Sequence, residues 1–330
     1  MAGRLVILAF GVFAVIVGFF AVWATWRYQT LAQDVAWLED QSFDTLTLLT
    51  VGTGSAYENP RRLGPVSAVG YGARIALVDA GRGAAEALRR CAIRTSQPDT
   101  VYLTSLLPEN VLGLDDLLLT GWLAERRTPL RLVGPPGTRA FAEALAAAQR
   151  PAIEALAEAV GLPPEGASLE ALEVEPGWSE MRENGVLVRA GDAGARPLPA
   201  LAWRFERPAA AGEGPLALVV TGAGAEPDAV APFAQGAALL VTEGFFRAAL
   251  DAVIESGDPD ADRLRREAAL HLSTAEAGAL AQRAGVPLLV LTRLRPPPMF
   301  DEQFETSATG AGYTGRVVVA DDCDAFRGGA

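Results

Sequence analysis

Lysine is absent from this chain of 330 residues, and histidine occurs once, as His271. All 28 basic residues are therefore arginines, and 40 aspartates and glutamates outnumber them. Proteins that bind nucleic acids cluster lysine and arginine on one surface, where these cations displace the counterions around phosphates. The acidic composition therefore argues against a nucleic-acid partner.

Cysteine is almost as scarce, with Cys91 and Cys323 far apart in the sequence. Two residues at this spacing predict neither a disulfide framework nor a zinc knuckle. The single histidine excludes a metal site built on several imidazoles, because one copy cannot supply them.

One long apolar run is present, from Leu5 to Trp26, without an ionisable residue and flanked by Arg4 and Arg27. A helix of this length would be about 33 Å long at about 1.5 Å per residue, close to the roughly 30 Å of a bilayer core. A cleaved secretory signal has a shorter apolar core and a cleavage site of small residues. We therefore expect residues 1–27 to form a retained transmembrane anchor.

The flanking charges predict how this anchor is oriented. The amino terminus adds a second positive charge beside Arg4, whereas the acidic residues that follow Arg27 count for little in the positive-inside rule. We expect a single-pass protein of the inner (cell) membrane, with its soluble domain on the periplasmic or extracytoplasmic side. Without Arg4 and Arg27, that domain keeps 26 of the 28 basic residues against 40 acidic ones.

Beyond a connector at 28–44, segments typical of strands and helices alternate from residue 45 to 323. Thr45–Val51 is typical of a strand, and Thr138 is well placed to cap a helix that runs towards Val160. The Gly- and Pro-rich stretch 161–178 is expected to cross the surface, and 324–330 to be a loose tail. Such alternation predicts an α/β domain, with sheets covered by helices.

Five turn and strand blocks stand out in the chain. In chain order they are Leu48-Leu49-Thr50-Val51-Gly52-Thr53-Gly54, Val78-Asp79-Ala80-Gly81-Arg82-Gly83, Gly134-Pro135-Pro136-Gly137-Thr138, Glu276-Ala277-Gly278, and Gly285 to Thr292. Their order and wording resemble the ribonuclease Z and arylsulfatase-like branch of the metallo-β-lactamase superfamily. The resemblance spans about Leu46 to Asp322 and implies a four-layer αβ/βα sandwich, with the active site between the two sheet edges.

The family holds two zinc ions with a His-x-His-x-Asp-His loop, two further histidines and an aspartate. Such ligands lower the pKa of a bound water until hydroxide forms near neutral pH. The resemblance assigns the seven ligand positions in this chain to Ser105, Leu107, Glu109, Asn110, Ala193, Ala223 and Arg293. We therefore expect that zinc is lost, that the chain has no cofactor, and that Arg293 neutralises Asp79 and Glu109 in place of the metals.

His271 and Glu243 match a proton-handling pair of the family, so the resemblance implies a residual catalytic dyad. The alternative is a structural pair left over from an enzyme ancestor. The matched block also places Asp79 and Arg82 in the cleft, although Asp79 has a simpler interpretation as the cap of the following turn and helix. Four arginines could also converge there to bind an anion, or lie solvated on the surface: Arg61, Arg62, Arg82 and Arg293.

The sequence thus favours a pseudoenzyme: a membrane-anchored, non-catalytic domain that binds a protein or a small anionic ligand, with a homodimer as one possible assembly. The alternative is a hydrolase of phosphate or sulfate esters or lactones, with a rearranged mononuclear or metal-free site. Transfer-RNA processing is disfavoured because the stretch 161–183 is acidic and lysine is absent.

Overall fold

A single apolar helix forms the first of two units in the computed structural model, which describes residues 2–34, 38–57, 59, 61–207 and 215–327. This helix, α1, runs from Ala2 to Asp34, beyond the predicted end of the anchor at residue 27. Its segment Phe10–Gln29 is long and apolar enough to cross a membrane. The second unit begins at Asp40 and contains all other elements.

Two seven-stranded sheets organise the second unit. The first has the strand order β14-β1-β2-β3-β4-β5-β6, and the second has the order β13-β12-β11-β10-β9-β8-β7. The strands of the first sheet are β1 (Phe43–Gly52), β2 (Val66–Gly72), β3 (Arg74–Val78), β4 (Thr100–Tyr102), β5 (Leu130–Gly134), β6 (Leu169–Glu173) and β14 (Asp324–Arg327). Those of the second are β7 (Ser179–Met181), β8 (Leu187–Ala195), β9 (Pro199–Arg207), β10 (Leu216–Val220), β11 (Leu239–Phe245), β12 (Leu288–Arg295) and β13 (Arg316–Val319).

Helices connect these strands. They are α2 (Ala84–Arg90), α3 (Pro108–Val111), α4 (Leu114–Leu123), α5 (Thr138–Val160), α6 (Pro227–Ala234), α7 (Arg247–Glu255), α8 (Ala261–Ala268), α9 (Thr274–Ala284) and α10 (Asp301–Gly310), with a 3₁₀ turn at Pro164–Ala167. Helix α9 begins with a capping box, in which the side chains of Ser273 and Glu276 each accept a hydrogen bond from the other residue's backbone amide. Thr138 is the first residue of α5 and not its cap, because Gly137 holds that position.

Side-chain alternation along the strands builds three apolar layers. In β1, Leu46 and Leu48 join the core between the two sheets, while Leu49 and Val51 point to the helices outside the first sheet. A third core lies outside the second sheet, where α6, α9 and α10 pack. The predicted four-layer αβ/βα sandwich is confirmed.

The expectation of a loose tail was wrong, and the stretch expected to cross the surface contains an unpredicted edge strand. Residues 324–327 of the predicted loose tail form β14, which pairs antiparallel with β1. Leu169–Glu173, inside the predicted surface crossing, forms β6 and pairs with β5. Both segments form strands because they pair with a neighbouring strand, and local composition does not reveal such pairing.

The two cysteines form a disulfide between the end of α2 and the residue before β14. Their Cα atoms lie 5.0 Å apart although 232 positions separate them in the sequence. The large spacing that argued against a disulfide framework therefore gave no guide to their distance in the fold.

Candidate functional site

The candidate site lies where strands of both sheets end. Asp79 follows β3, Glu243 lies in β11 and Arg293 in β12. Strands β3 and β4 are parallel, as are β11 and β12, so their carboxyl ends bring the following loops together. Helix α3 supplies Glu109 and Asn110 to the same place.

Asp79 is fully buried and accepts two hydrogen bonds from Thr104. The Thr104 amide donates to Oδ1 at 2.7 Å, and its hydroxyl donates to Oδ2 at 2.8 Å. Oδ2 also pairs with Nη2 of Arg293. The interpretation of Asp79 as a helix cap was wrong, because Gly83 precedes α2 and Asp79 instead fixes Thr104 and Arg293.

Arg293 is only 3% exposed and lies among the positions that the resemblance matches to metal ligands. Its Nη1 donates to Oδ1 of Asn110 at 2.8 Å and lies 3.9 Å from Oε1 of Glu109. Asp79 and Arg293 both adopt the left-handed backbone conformation, with φ of 62° and 53°. The predicted placement of Arg293 beside Asp79 and Glu109 is confirmed.

The other positions that the resemblance matches to ligands do not offer a set of metal donors. Ser105 accepts a hydrogen bond from the Asn110 amide at 2.8 Å, Leu107 is apolar, and Ala193 and Ala223 are buried alanines. Across the described ranges, no group of three His, Cys, Asp or Glu side chains is arranged to hold a metal ion. With a guanidinium at its centre, this set does not fit a dizinc site.

Glu243 and His271 meet as the resemblance implies. Nδ1 of His271 is hydrogen-bonded to Oε1 of Glu243, and Oε2 of Glu243 accepts from the amides of Gly224 and Leu272, both at 2.9 Å. Burial opposes the charged ring, but the hydrogen bond and charge of Glu243, helped by Glu109, outweigh it and raise the pKa of His271. This arrangement favours an imidazolium, whose catalytic role stays a prediction.

We expect the imidazole to titrate above the ordinary value of about 6.5. A raised folded-state pKa stabilises the fold fully below the unfolded value, and this contribution is lost as the pH rises through the folded pKa. Because the chain has one histidine, NMR of histidine-labelled protein follows it without ambiguity. Glu243→Gln should lower the midpoint, and an unchanged midpoint would contradict this assignment.

Three residues that sequence reasoning missed form a second cluster beside His271. Nη1 of Arg295 lies 2.7 Å from Oε1 of Glu267 and 3.3 Å from Nε2 of His271. The Arg295 guanidinium stacks on the ring of Tyr57 at 4.2 Å, and the Tyr57 hydroxyl donates to Glu267. No sequence signal joins them, because Tyr57 lies in a loop, Glu267 in α8 and Arg295 in β12.

A cavity of about 230 Å³ opens between these groups. Its wall is formed by Ser55, Ala56, Tyr57, Leu107, Pro108, Glu109, Arg196, Pro197, Ala223, Glu267, Leu270, His271 and Arg295. Asp79 and Arg82, predicted for the cleft, are not part of this wall: Asp79 is held by Thr104 and Arg293, away from the lumen.

Of the two alternatives for the four arginines, the structure does not support convergence on the cleft. Arg61 is exposed, and Arg62 binds the Thr53 hydroxyl and Asp321. Arg293 is already bound to Asp79. Arg82 is half-buried, and within the described residues its buried Nε and Nη2 atoms have no hydrogen-bond partner. The arginines at the cavity are Arg196 and Arg295 instead.

Comparison with solved structures defines the class of fold. The metallo-β-lactamase fold protein YhfI from Bacillus subtilis superposes with a TM-score of 0.63 at 16% identity, over 87% of this chain and 100% of its own. Human tRNase Z, short form, gives 0.58 at 19% identity, over 85% and 98%. At these identities the likeness shows the fold, which is that of the metallo-β-lactamases.

Sequence comparison gives the family, although no family model matches the chain. Ribonuclease Z of Mycobacterium bovis BCG is 30% identical over 292 residues, covering 84% of this chain and 96% of the relative. Ribonuclease Z of Mycobacterium sp. strain KMS is 32% identical over 260 residues, covering 76% and 84%. The chain belongs to the ribonuclease Z-like branch of the metallo-β-lactamase superfamily, a family of metal-dependent hydrolases.

Proposed function

We propose that this protein is a membrane-anchored, non-catalytic member of its family, which uses the cavity to bind a small ligand. The observation that carries the proposal is the Arg293 guanidinium, bound to Asp79 and Asn110 among the former ligand positions. A fixed cation there neutralises buried carboxylate charge without a cofactor and repels a divalent metal.

A second candidate is a hydrolase of phosphate or sulfate esters or lactones that works without the dizinc centre. It is supported by His271, which lines the cavity and pairs with buried Glu243, and by Glu109 in the same wall. Asp79 cannot take part in this chemistry, because Thr104 and Arg293 occupy both of its oxygens.

The relatives are named as ribonucleases, but we do not extend an RNA partner to this chain. The segment 161–183 is acidic, and all the basic residues of the chain are arginines, most of them paired with carboxylates where the structure describes them. Where the structure describes them, most of these arginines are therefore less available to release counterions from a nucleic acid.

The zinc content of the purified full chain in detergent tests the proposal. After growth with added zinc, we expect elemental analysis to find far less than one zinc per chain, and no hydrolysis of a phosphodiester, an aryl sulfate or a lactone. Zinc at about one or two atoms per chain that resists mild chelation would overturn the non-catalytic assignment. Hydrolysis without zinc would favour the second candidate.

We also propose that α1 anchors the chain and that the folded domain lies outside the cytoplasm. The apolar segment Phe10–Gln29 supports the anchor, and the disulfide supports an oxidising compartment, where such bonds persist. The chain should therefore stay in the membrane after carbonate washing, and a reporter fused at Ala330 should be active only outside the cytoplasm. A shortened soluble chain would contradict the anchor, and a cytoplasmic reporter signal would contradict the orientation.

A further inference from the structure

Two carboxylates line the cavity in the described part of the chain, Glu109 and Glu267. Glu267 is paired with Arg295 at 2.7 Å, whereas Glu109 has no ion-pair partner closer than 3.9 Å. The residue is 7% exposed, and no hydrogen bond to its side chain is present among the described residues. The nearest cation, Nη1 of Arg293, lies 3.9 Å away and donates to Asn110, while Nη2 pairs with Asp79. Glu109 therefore brings an acceptor group to the cavity that this fold does not satisfy.

The other charged groups of the wall are matched. Arg295 binds Glu267 at 2.7 Å, and Nε of Arg196 lies 3.5 Å from Oε1 of Glu226. His271 is paired with buried Glu243. An anion would have to compete with a carboxylate for each of these cations, whereas a cation would meet Glu109 without displacing any partner.

The rest of the wall is largely apolar, with Leu107, Pro108, Pro197, Ala223 and Leu270. A small hydrated metal ion needs several oxygen ligands, which this wall does not supply. An apolar body of a few carbon atoms would instead replace water along these side chains.

We propose that the cavity binds a small organic ammonium ion, whose ammonium group donates to the Glu109 carboxylate while its apolar body packs against Leu107, Pro197 and Leu270. This inference rests on the proposed function, since it names the ligand class of the same cavity. It replaces the anionic ligand expected from the sequence, because the arginines behind that expectation lie elsewhere or are paired.

Three probes with the same six-carbon body test the charge preference: hexylammonium, 1-hexanol and hexanoate. They are titrated calorimetrically into the full chain in detergent, with binding to detergent alone subtracted. We expect one hexylammonium per chain, bound roughly 30-fold or more tightly than the other two, because losing one partner of a desolvated charge pair typically costs that much. Equal or tighter binding of hexanoate would overturn the ammonium assignment.

Glu109→Gln preserves the shape of the side chain and removes the charge. It should weaken hexylammonium binding by about 30-fold and leave hexanol binding unchanged. Glu302→Gln, on the exposed face of α10, is the matched control and should change neither. Ala223→Leu should weaken all three probes by narrowing the cavity, and near-UV circular dichroism checks that each variant is folded.

The outcomes separate this inference from the proposed function. If hexylammonium binding survives Glu109→Gln, or if no probe binds a chain that is zinc-free and inactive, the ammonium assignment is wrong while the non-catalytic assignment stands. If zinc is present or hydrolysis is found, the proposed function is wrong whatever the probes do.

Discussion

Replacing Arg293 with alanine should lower the free energy of unfolding by about 3–5 kcal/mol. The side chain is 3% exposed and pairs with fully buried Asp79, so its removal leaves a buried carboxylate without its counter-charge. It also removes the donor that satisfies the Asn110 carbonyl. Denaturant unfolding of the detergent-solubilised chain, followed by tryptophan fluorescence, measures the change.

Double variants show which carboxylate the guanidinium compensates. Asp79→Asn in the Arg293→Ala background should restore part of the lost stability, because an amide needs no counter-charge. Glu109→Gln should restore less, since Glu109 lies 3.9 Å from the guanidinium and retains contact with the cavity. Arg265→Ala on exposed α8 is the control, expected within about 0.5 kcal/mol of the parent. A near-zero cost for Arg293→Ala would show that the pair does not compensate buried charge.

Breaking the Cys91–Cys323 disulfide should destabilise the domain by about 2–5 kcal/mol. The bond closes a loop over 232 positions, so it removes much of the conformational freedom of the unfolded chain. It also ties β14, a four-residue edge strand paired with β1, to the end of α2.

The Cys91→Ala, Cys323→Ala double variant tests this effect. Its free energy of unfolding should match that of the parent chain under reducing conditions, and reductant should have no further effect on it. Hydrogen exchange should increase first in residues 324–327. A reduced parent chain, with both thiols shown to be free, that unfolds at the same denaturant concentration would contradict the prediction.

Local patterns predicted most of the scaffold because the responsible signals lie close together in the sequence. The strand predicted at Thr45–Val51 lies within β1, and the helix predicted to run from Thr138 towards Val160 is α5. The tail and the 161–178 stretch were misjudged because β14 and β6 depend on pairing with β1 and β5. Pairing between distant segments has no local signature.

The candidate site, like the scaffold, was predicted only in part. The resemblance placed Arg293 near Asp79 and His271 near Glu243, and the structure brings both pairs together. Local reasoning assigned Asp79 to a helix cap, although its partners are Thr104 and Arg293. The cluster of Tyr57, Glu267 and Arg295 joins a loop, a helix and a strand, and only the fold shows that they meet.

We propose that the Arg293 guanidinium, and not a metal, occupies the space among Asp79, Glu109 and Asn110. Crystals of the protein grown with zinc and measured at the zinc absorption edge test this directly. We predict no anomalous peak among Asp79, Glu109 and Asn110, with electron density for the Arg293 guanidinium bound to Asp79 and Asn110. An anomalous peak there, with Arg293 displaced, would contradict the account.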